Sequence, residues 1–311
     1  MKLLGLPAAT ATLIVLATCT PGPAARLAAS PRLPSLTMPA PEPGLVSTVL
    51  QQPAPAAGSF ALQGPLIQGG MVVGTAPKGA TLLTLDGVSV PIAPDGRFLI
   101  AFDRDAKPSA ELVATLNSGA TVRQTLVVSP RAWDIQRLDK LAKYPVPKPE
   151  FERLRPPELA QISAARAMQT DAAGWRQTFL WPVTGRISTL FGSQRIYAGE
   201  PGAYHSGVDV ARPAGTIVLA PADGVVILAA DHPFTLEGNL LMIDHGMGLN
   251  SAFLHLSRID VKVGQHVRRG QPIGAVGATG RAYGAHLHWG MKWREARIDP
   301  LLVAGPMPAA Q

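Results

Sequence analysis

Short apolar runs separated by turn residues dominate residues 59–130. The runs Arg97–Phe102 and Val122–Val128 have the length of strands, and the pair Asp86-Gly87 predicts a two-residue hairpin turn. Strands at this spacing predict a small β-sandwich domain of the immunoglobulin-like type. The stretch contains no reactive cluster of side chains, so we interpret it as a spacer or an interaction module.

A helical period replaces this pattern in residues 131–175 and predicts a short helical connector. Proline is acceptable in a first turn, so a second helix is predicted to begin after Pro156-Pro157 and to stop near Gly174. The apolar positions that define the two helices at three-residue spacing are Ile135, Leu138 and Leu141 in the first, and Leu159, Ile162 and Ala165 in the second.

Residues 176–311 return to a β pattern. Frequent glycines punctuate short apolar runs such as Val225–Leu228 and Leu240–Ile243, which predicts strands joined by turns. The predicted fold class is therefore mainly β, with two β domains on either side of the helical connector.

The first 58 residues are predicted to form a signal peptide and a linker, and not a folded domain. Lys2 precedes a short apolar segment, Leu13–Ala17, and small residues follow it, which predicts a signal peptide over residues 1–25. The alternative is an N-terminal anchor that stays uncleaved. Residues 26–58 are rich in proline and alanine, a composition that predicts an extended linker.

Cys19 divides the export hypothesis into two forms. The segment Leu16–Cys19 resembles the signal of bacterial lipoproteins, in which the cysteine is lipidated and tethers the protein to a membrane. The other form is ordinary cleavage near the alanine-rich run Ala24–Ala29. Both forms place the mature protein outside the cytosol, in the periplasm or elsewhere in the cell envelope.

Composition narrows the remaining classes of protein. Hydrophobic residues make up 47% of the 311 residues, which excludes a wholly disordered chain. The single cysteine excludes an internal disulfide framework and a cysteine-rich zinc site. The net charge of +7 is spread out, without a basic helix or an aromatic-basic motif, so no nucleic-acid partner is expected. We interpret this charge as affinity for an anionic cell envelope.

All seven histidines lie at or after residue 205, inside the second β domain. Four of them fall in three short motifs, and an aspartate accompanies the first. The motifs are His205-Ser206-Gly207-Val208-Asp209, Phe253-Leu254-His255-Leu256-Ser257 and Gly284-Ala285-His286-Leu287-His288-Trp289.

Strand geometry allows the histidine motifs to face one site. On a strand, His286 and His288 point to the same face at a spacing of about 6.6 Å, whereas on a helix they diverge. The same alternation places His255 on one face with Phe253, so His255 is predicted to face the site from another strand.

The first motif needs a bend. A fully extended strand separates His205 from Asp209 by about 13 Å, which is too far for one ion. Gly207 between them is predicted to permit the bend that brings both side chains round. Two histidines and a carboxylate are a common zinc set that leaves a fourth position for water, and this set defines a catalytic rather than a structural site.

Together the three motifs resemble those of the lysostaphin-type, or LytM-like, zinc metallopeptidases. The family pattern is His-x-x-x-Asp, then a single histidine before Leu-Ser, then His-x-His. The runs Trp181–Val183 and Ile243–Gly246 also match the family. The resemblance covers roughly residues 181–302 and implies a β-sheet-rich groove with a metal ion at its floor.

The resemblance also implies a role for each residue. His205, Asp209 and His288 are the implied zinc ligands, while His255 and His286 act on water and on the tetrahedral intermediate. The implied reaction is the hydrolysis of peptide bonds in peptidoglycan cross-links by zinc-activated water. The expected partners are therefore peptidoglycan peptide stems, and the sequence carries no signal for an oligomeric state.

A second hypothesis comes from a different class of protein. Some LytM-like proteins are catalytically inactive and bind the wall or activate other cell-wall hydrolases. Those members have lost zinc ligands, whereas all five key positions are intact here, which favours the enzyme. Among the other residues, His245 is interpreted as structural, His232 and His266 as exposed, and Asn239 as either a substrate contact or a backbone cap.

Overall fold

The computed structural model describes residues 58–140 and 149–308, and it is mainly β as predicted. The predicted signal peptide over residues 1–25, the lipidation point at Cys19 and most of the linker lie outside the described residues. None of the described helices has the length and apolar character needed to cross a membrane.

Seven strands form the first part of the fold, and they make two antiparallel sheets of order β1-β2-β5 and β4-β3-β6-β7. The strands are β1 Ala61–Gln63, β2 Met71–Thr75, β3 Ala80–Leu85, β4 Val88–Val90, β5 Arg97–Ala101, β6 Ser109–Leu116 and β7 Thr121–Val127. Buried side chains of both sheets, among them Val72, Leu83, Phe98 and Leu112, share one core.

The predicted hairpin turn joins β3 to β4. Asp86 and Gly87 have φ angles of 49° and 80°, and two successive positive φ angles are the signature of the type I′ turn. This turn and the short strands are confirmed, while the division of residues 59–130 as a separate domain and its immunoglobulin-like classification stay predictions.

The first predicted helix of the connector is wrong. Residues Ile135–Leu138 form strand β8, which pairs in parallel with the later strand Gln194–Tyr197. Ile135 is 37% exposed, so the three-residue spacing does not mark a buried helical stripe. Backbone hydrogen bonds to a partner 59 residues away determine the conformation here, because a strand edge satisfies the N–H and C=O groups of the segment.

The second helix exists with different bounds. Helix α1 spans Pro149–Ala167, so Pro156 and Pro157 lie inside it rather than before it. Ile162 and Ala165 are buried as predicted, but Leu159 is 48% exposed. Packing of the buried side chains outweighs the cost of the internal prolines, since tertiary contacts supply most of the stability of helices in proteins.

Gly174 does not stop that helix. It begins a short 3₁₀ turn, Gly174–Arg176, and a Cβ atom at this position would overlap the carbonyl group of Asp223. The glycine is therefore explained by a close approach of two backbone segments.

Thirteen strands and a short helix form the rest of the fold. They are β9 Arg186–Thr189, β10 Gln194–Tyr197, β11 Glu200–Pro201, β12 Gly207–Ala211, β13 Ile217–Leu219, β14 Gly224–Ala229, β15 Asn239–Gly246, β16 Leu249–Leu256, β17 Arg258–Ile259, β18 His266–Val267, β19 Pro272–Ala275, β20 His286–Trp293, β21 Ala296–Ile298 and helix α2 Pro300–Ala304.

An eight-stranded antiparallel sheet dominates this part. Its order is β18-β14-β15-β16-β20-β12-β9, and β21 pairs with β20. Strands β13, β19 and β17 form a second sheet, and β8 joins β10 and β11 in a third.

The two faces of the large sheet bury different partners. One face contributes Leu241, Phe253 and Trp289 to the main core, which also contains the buried side chains of the first seven strands. On the other face, Ile162 of α1 packs in a smaller cluster with Met242 and other apolar side chains of the sheet. Helix α1 therefore lies on the same face as the side chains of the histidine motifs.

Asp299 links the first β domain to the end of the chain. Its carboxylate is 3% exposed, accepts a hydrogen bond of 2.8 Å from Nη1 of Arg131, and caps helix α2 by accepting one of 3.0 Å from the backbone N–H of Leu301. Its own backbone N–H donates to the carbonyl of Gly69 over 2.9 Å.

We expect Asp299→Ala to lower the free energy of unfolding by about 3 kcal/mol, because it removes a helix cap and leaves the Arg131 guanidinium without its partner. Glu111→Ala is the matched control, since it breaks an ion pair to Arg123 in which both side chains are more than half exposed. Its expected cost is below about 1 kcal/mol. Equal losses in chemical denaturation of the two variants would contradict this account of Asp299.

Candidate functional site

Antiparallel pairing of β12 and β20 brings the first and third motifs together. Asp209 lies directly opposite His288 in this register, and His205 lies just before β12. The distance from Oδ1 of Asp209 is 3.0 Å to Nε2 of His205 and 2.9 Å to Nδ1 of His288. The two nitrogens are 3.0 Å apart. The three atoms therefore form a compact triangle.

This triangle has the dimensions of a metal site. Ligand atoms around a tetrahedral ion such as zinc lie about 3.3 Å apart at normal bond lengths, close to the separations observed. Within residues 58–140 and 149–308, His205, Asp209 and His288 are the one group of three or more such side chains able to hold a metal ion. Two imidazoles and a carboxylate are a donor set that fits a zinc ion.

Protonation in the site favours metal ligation. Burial alone raises the pKa of Asp209, but hydrogen bonds from His205 and His288 outweigh it and hold the pKa well below the usual range. Burial lowers the pKa of His288. Nδ1 of His205 lies 3.0 Å from the carbonyl oxygen of Leu190, which only accepts, so this nitrogen donates to the backbone and Nε2 is the atom that faces Asp209.

Gly207 is required for a different reason than the predicted bend. It belongs to strand β12 and is absent from the residues with positive φ. A Cβ atom at this position would overlap the carbonyl oxygen of Trp289 and lie 2.7 Å from Nε2 of His288. The glycine therefore provides the space that the His288 ring occupies.

His255 reaches the site through an irregular backbone. The predicted alternation with Phe253 is wrong, because Phe253 is fully buried in the core on the other face while Leu254 lies opposite His288. His255 has a φ of 64°, a left-handed conformation that interrupts the strand alternation and redirects its ring into the groove.

Two backbone groups hold His255 in this conformation. Its N–H donates to the carbonyl of Glu237 over 2.8 Å, and Nδ1 of its ring lies 2.8 Å from the carbonyl oxygen of Thr279. The ring therefore keeps its proton on Nδ1 and leaves the lone pair on Nε2. Burial lowers the pKa of His255 to about 4, so the ring is neutral near pH 7.

His286 lies beside His255 in the same groove. The predicted alternation holds here, since Leu287 and Trp289 are fully buried while His286 and His288 both line the groove. Nδ1 of His286 lies 2.8 Å from the carbonyl oxygen of Gly284, and its ring centroid lies 4.8 Å from that of His255. The two rings thus lie side by side, next to the triangle of His205, Asp209 and His288.

The five side chains lie in a groove with a volume of about 590 Å³. Residues from several loops form its walls, including Tyr197, Tyr204, Leu236, Glu237, Arg281 and Tyr283. The supporting backbone carbonyls of Leu190, Glu237 and Thr279 were missed by the sequence reasoning, because a carbonyl group carries no residue-type signal.

Asn239 does not line the groove but stabilises the backbone beside it. Its Nδ2 donates to the carbonyl of Leu256 over 2.8 Å, and its backbone N–H donates to Oγ1 of Thr279 over 2.9 Å. Of the two interpretations of Asn239, these contacts favour the backbone cap.

His245 is fully buried and belongs to a hydrogen-bond chain that runs from Trp289 to the backbone of Asp223. Nε1 of Trp289 donates to Oγ of Ser251 over 3.2 Å, and this oxygen lies 2.9 Å from Nε2 of His245. Nδ1 of His245 lies 2.8 Å from the carbonyl of Asp223. Burial lowers the pKa of His245 to about 4. The two other histidines outside the motifs, His232 and His266, are exposed.

Comparison with known proteins identifies the family of this domain. Residues 203–300 match the model of peptidase family M23. A solved structure from Pseudomonas aeruginosa, described as a peptidase M23, is 30% identical. The match covers 78% of this chain and 96% of that one, with a TM-score of 0.59.

Curated relatives match the same domain. Peptidoglycan DD-endopeptidase ShyA of Vibrio cholerae is 40% identical over 126 residues, which is 40% of this chain and 29% of that protein. DD-carboxypeptidase/endopeptidase Mpg of Neisseria meningitidis is 38% identical over 123 residues, 40% of this chain and 28% of that protein. The chain therefore spans less than a third of the length of these relatives.

The buried His245 predicts a pH dependence of stability. Since its pKa is about 4 in the folded state and about 6.5 in an unfolded chain, protons bind preferentially to the unfolded state between these values. The stabilisation is thus complete above pH 6.5 and is lost as the pH falls towards 4, by about 3 kcal/mol. We expect His245→Gln to remove this contribution.

The measurement is the free energy of unfolding of wild type and His245→Gln at several pH values, with a chelator present throughout to exclude metal binding. The stability advantage of the wild type should shrink by about 3 kcal/mol from pH 7 to pH 4. His232→Gln, at an exposed histidine, is the control variant and should follow the wild-type curve. Parallel curves for wild type and His245→Gln would contradict the assignment.

Proposed function

Because the chain belongs to peptidase family M23, we propose that it is an exported zinc-dependent endopeptidase that hydrolyses peptide bonds in peptidoglycan cross-links. The observation that carries this proposal is the convergence of the His205, Asp209 and His288 ligand atoms in a groove flanked by His255 and His286. The names of ShyA and Mpg, which describe peptidoglycan peptidases, support the substrate class.

His205, Asp209 and His288 would hold the zinc ion. Neutral imidazoles and an ionised carboxylate are ligands that suit zinc. When bound, zinc lowers the pKa of water to about 7 and polarises a carbonyl oxygen. The carbonyl of Leu190 orients the His205 ring for this role, and the space at Gly207 does the same for His288.

His255 is assigned as the proton acceptor in this proposal. Its ring is neutral near pH 7, and the lone pair of Nε2 is free to accept a proton from the attacking water. His286, whose ring lies beside that of His255, is assigned to the reacting oxygen of the substrate, where an imidazole that carries a proton on Nε2 as well as on Nδ1 stabilises developing negative charge. The groove walls exclude part of the solvent and position the peptide.

The proposed location is the periplasm or cell envelope. The predicted signal peptide over residues 1–25 supports export, and the relatives named for peptidoglycan support an envelope substrate. Lipidation of Cys19 is the proposed form of membrane tether, with residues 26–58 as the linker to the folded part.

Digestion of isolated peptidoglycan tests the proposed function. We expect the purified protein to release fragments whose masses identify a cleaved peptide bond, with loss of activity in a chelator and recovery on addition of zinc. A protein that sediments with the wall polymer and releases no fragments would instead support the catalytically inactive binding or activator protein and overturn the enzyme.

The proposed roles predict different defects in two variants. His288→Ala should remove both zinc and activity, because a ligand is lost. His286→Ala should keep about one zinc ion per chain and lower turnover by about 10²–10⁴-fold, the usual contribution of a positioned proton-transfer or hydrogen-bonding group. Metal analysis and peptidoglycan digestion measure both quantities, and His232→Ala is the matched histidine control. Comparable metal loss in both variants would show that the roles are divided incorrectly.

A further inference from the structure

A second cavity lies on the same face of the large sheet, between helix α1 and the strands. It has a volume of about 220 Å³, and we call it the helix pocket. Ser206, Glu237, Leu254 and His288 line both the helix pocket and the catalytic groove, so the two cavities adjoin beside a metal ligand. Helix α1 precedes residues 203–300, so the domain that matches the family model does not form this pocket alone.

Small residues create the floor of the helix pocket. Ala252 of β16 lies opposite Gly290 of β20, and both residues line the pocket. These small residues lie between two pairs of larger residues across the strands, Leu254 with His288 on one side and Asn250 with Lys292 on the other. Because a strand rises about 3.3 Å per residue, the row of Lys292 lies about 13 Å from His288 along β20.

Positive charge dominates the lining of the helix pocket. Its charged lining residues are Arg155, Arg166, Glu237, Lys292 and Arg297. Both carboxylate oxygens of Glu237 are paired with Arg155, at 2.6 and 2.8 Å. Because Arg155 neutralises Glu237, the pocket has an excess of three cationic side chains, those of Arg166, Lys292 and Arg297.

Lys292 is the least exposed of these three cations. Its side chain is 14% exposed, and its Nζ donates over 2.8 Å to Glu295, whose side chain is 97% exposed. A pair with so exposed a partner contributes little stability and is easily exchanged for another anion. Arg166 and Arg297 are exposed residues at the rim of the pocket.

Asn250 adds an unmet hydrogen-bonding group. It lies directly opposite Lys292 in the pairing of β16 with β20, lines the helix pocket, and is only 5% exposed. Its buried Oδ1 has no hydrogen-bond partner among the residues that the structure describes. Buried polar atoms without partners are costly and rare. Because Oδ1 only accepts, a bound peptide would satisfy it with a backbone N–H group and not with its carboxylate.

We propose that the helix pocket is a substrate subsite that binds a carboxylate group of the peptide. A peptide in the groove reaches Lys292 along β20 at the length of about four extended residues. Charge-assisted hydrogen bonds from Lys292 and the rim arginines would hold that carboxylate in place. The position of the carboxylate would then determine which peptide bond lies beside the catalytic groups. This inference rests on the proposed endopeptidase function.

The test compares two substrates: cross-linked peptide dimers released from peptidoglycan, with their carboxyl groups either free or amidated. We expect the wild type to cleave the free-acid dimer with a kcat/KM about ten-fold higher, chiefly through a lower KM. Lys292→Met should bring the ratio of the two kcat/KM values close to one. Lys292→Arg keeps the charge and should retain most of the preference.

Lys262→Met is the matched control, because it removes the same charge from an exposed turn outside both cavities. It should leave the ratio at the wild-type value. Arg166→Gln, on the surface of α1, is the second variant in case Lys292→Met does not fold, and it should lower the ratio in part.

The outcomes separate this inference from the proposed function. A wild type that cleaves neither dimer overturns the proposed function and the subsite with it. A wild type that cleaves both equally, or a ratio that neither Lys292→Met nor Arg166→Gln changes, overturns the subsite alone and leaves the endopeptidase in place.

Discussion

The pairing of β12 with β20 is the interaction on which the candidate site depends. It places Asp209 opposite His288, and His205 reaches the same point from the irregular segment just before β12. Because strand side chains alternate, a slip of one residue in this register would move His288 into the core and bury the ligand set on the wrong face. The buried neighbours Leu287 and Trp289 oppose such a slip, since their exposure would cost the hydrophobic contacts of the main core.

The rest of the large sheet makes this pairing rigid. The chain from Trp289 through Ser251 to His245 satisfies buried polar groups behind the site, and Gly207 lets the His288 ring pack against the backbone. His255 is the exception to regularity, with its left-handed φ of 64°. Strained conformations of this kind persist where surrounding contacts determine them, and here the carbonyls of Glu237 and Thr279 do so.

Helix α1 of the predicted connector packs beside the candidate site. It packs on the same sheet face as the candidate metal-binding triangle of His205, Asp209 and His288. Arg155 pairs with Glu237, whose carbonyl accepts from the N–H of His255. The buried carboxylate of Glu158 accepts hydrogen bonds from the backbone and hydroxyl of Thr235 in the same loop, at 2.6 Å each. The connector is therefore part of the groove structure, and one end of the sheet face is enclosed between α1 and the strands.

The sequence by itself determined what depends on neighbours in the chain. Strand alternation places His286 and His288 on one face, and the pair Asp86-Gly87 encodes its turn, because both follow from local backbone geometry. The tertiary structure alone decided the strand at Ile135, the space required at Gly207 and the left-handed turn at His255. Each of these depends on a partner distant in sequence, a strand edge, an imidazole ring or a carbonyl group, and local periodicity carries no information about such contacts.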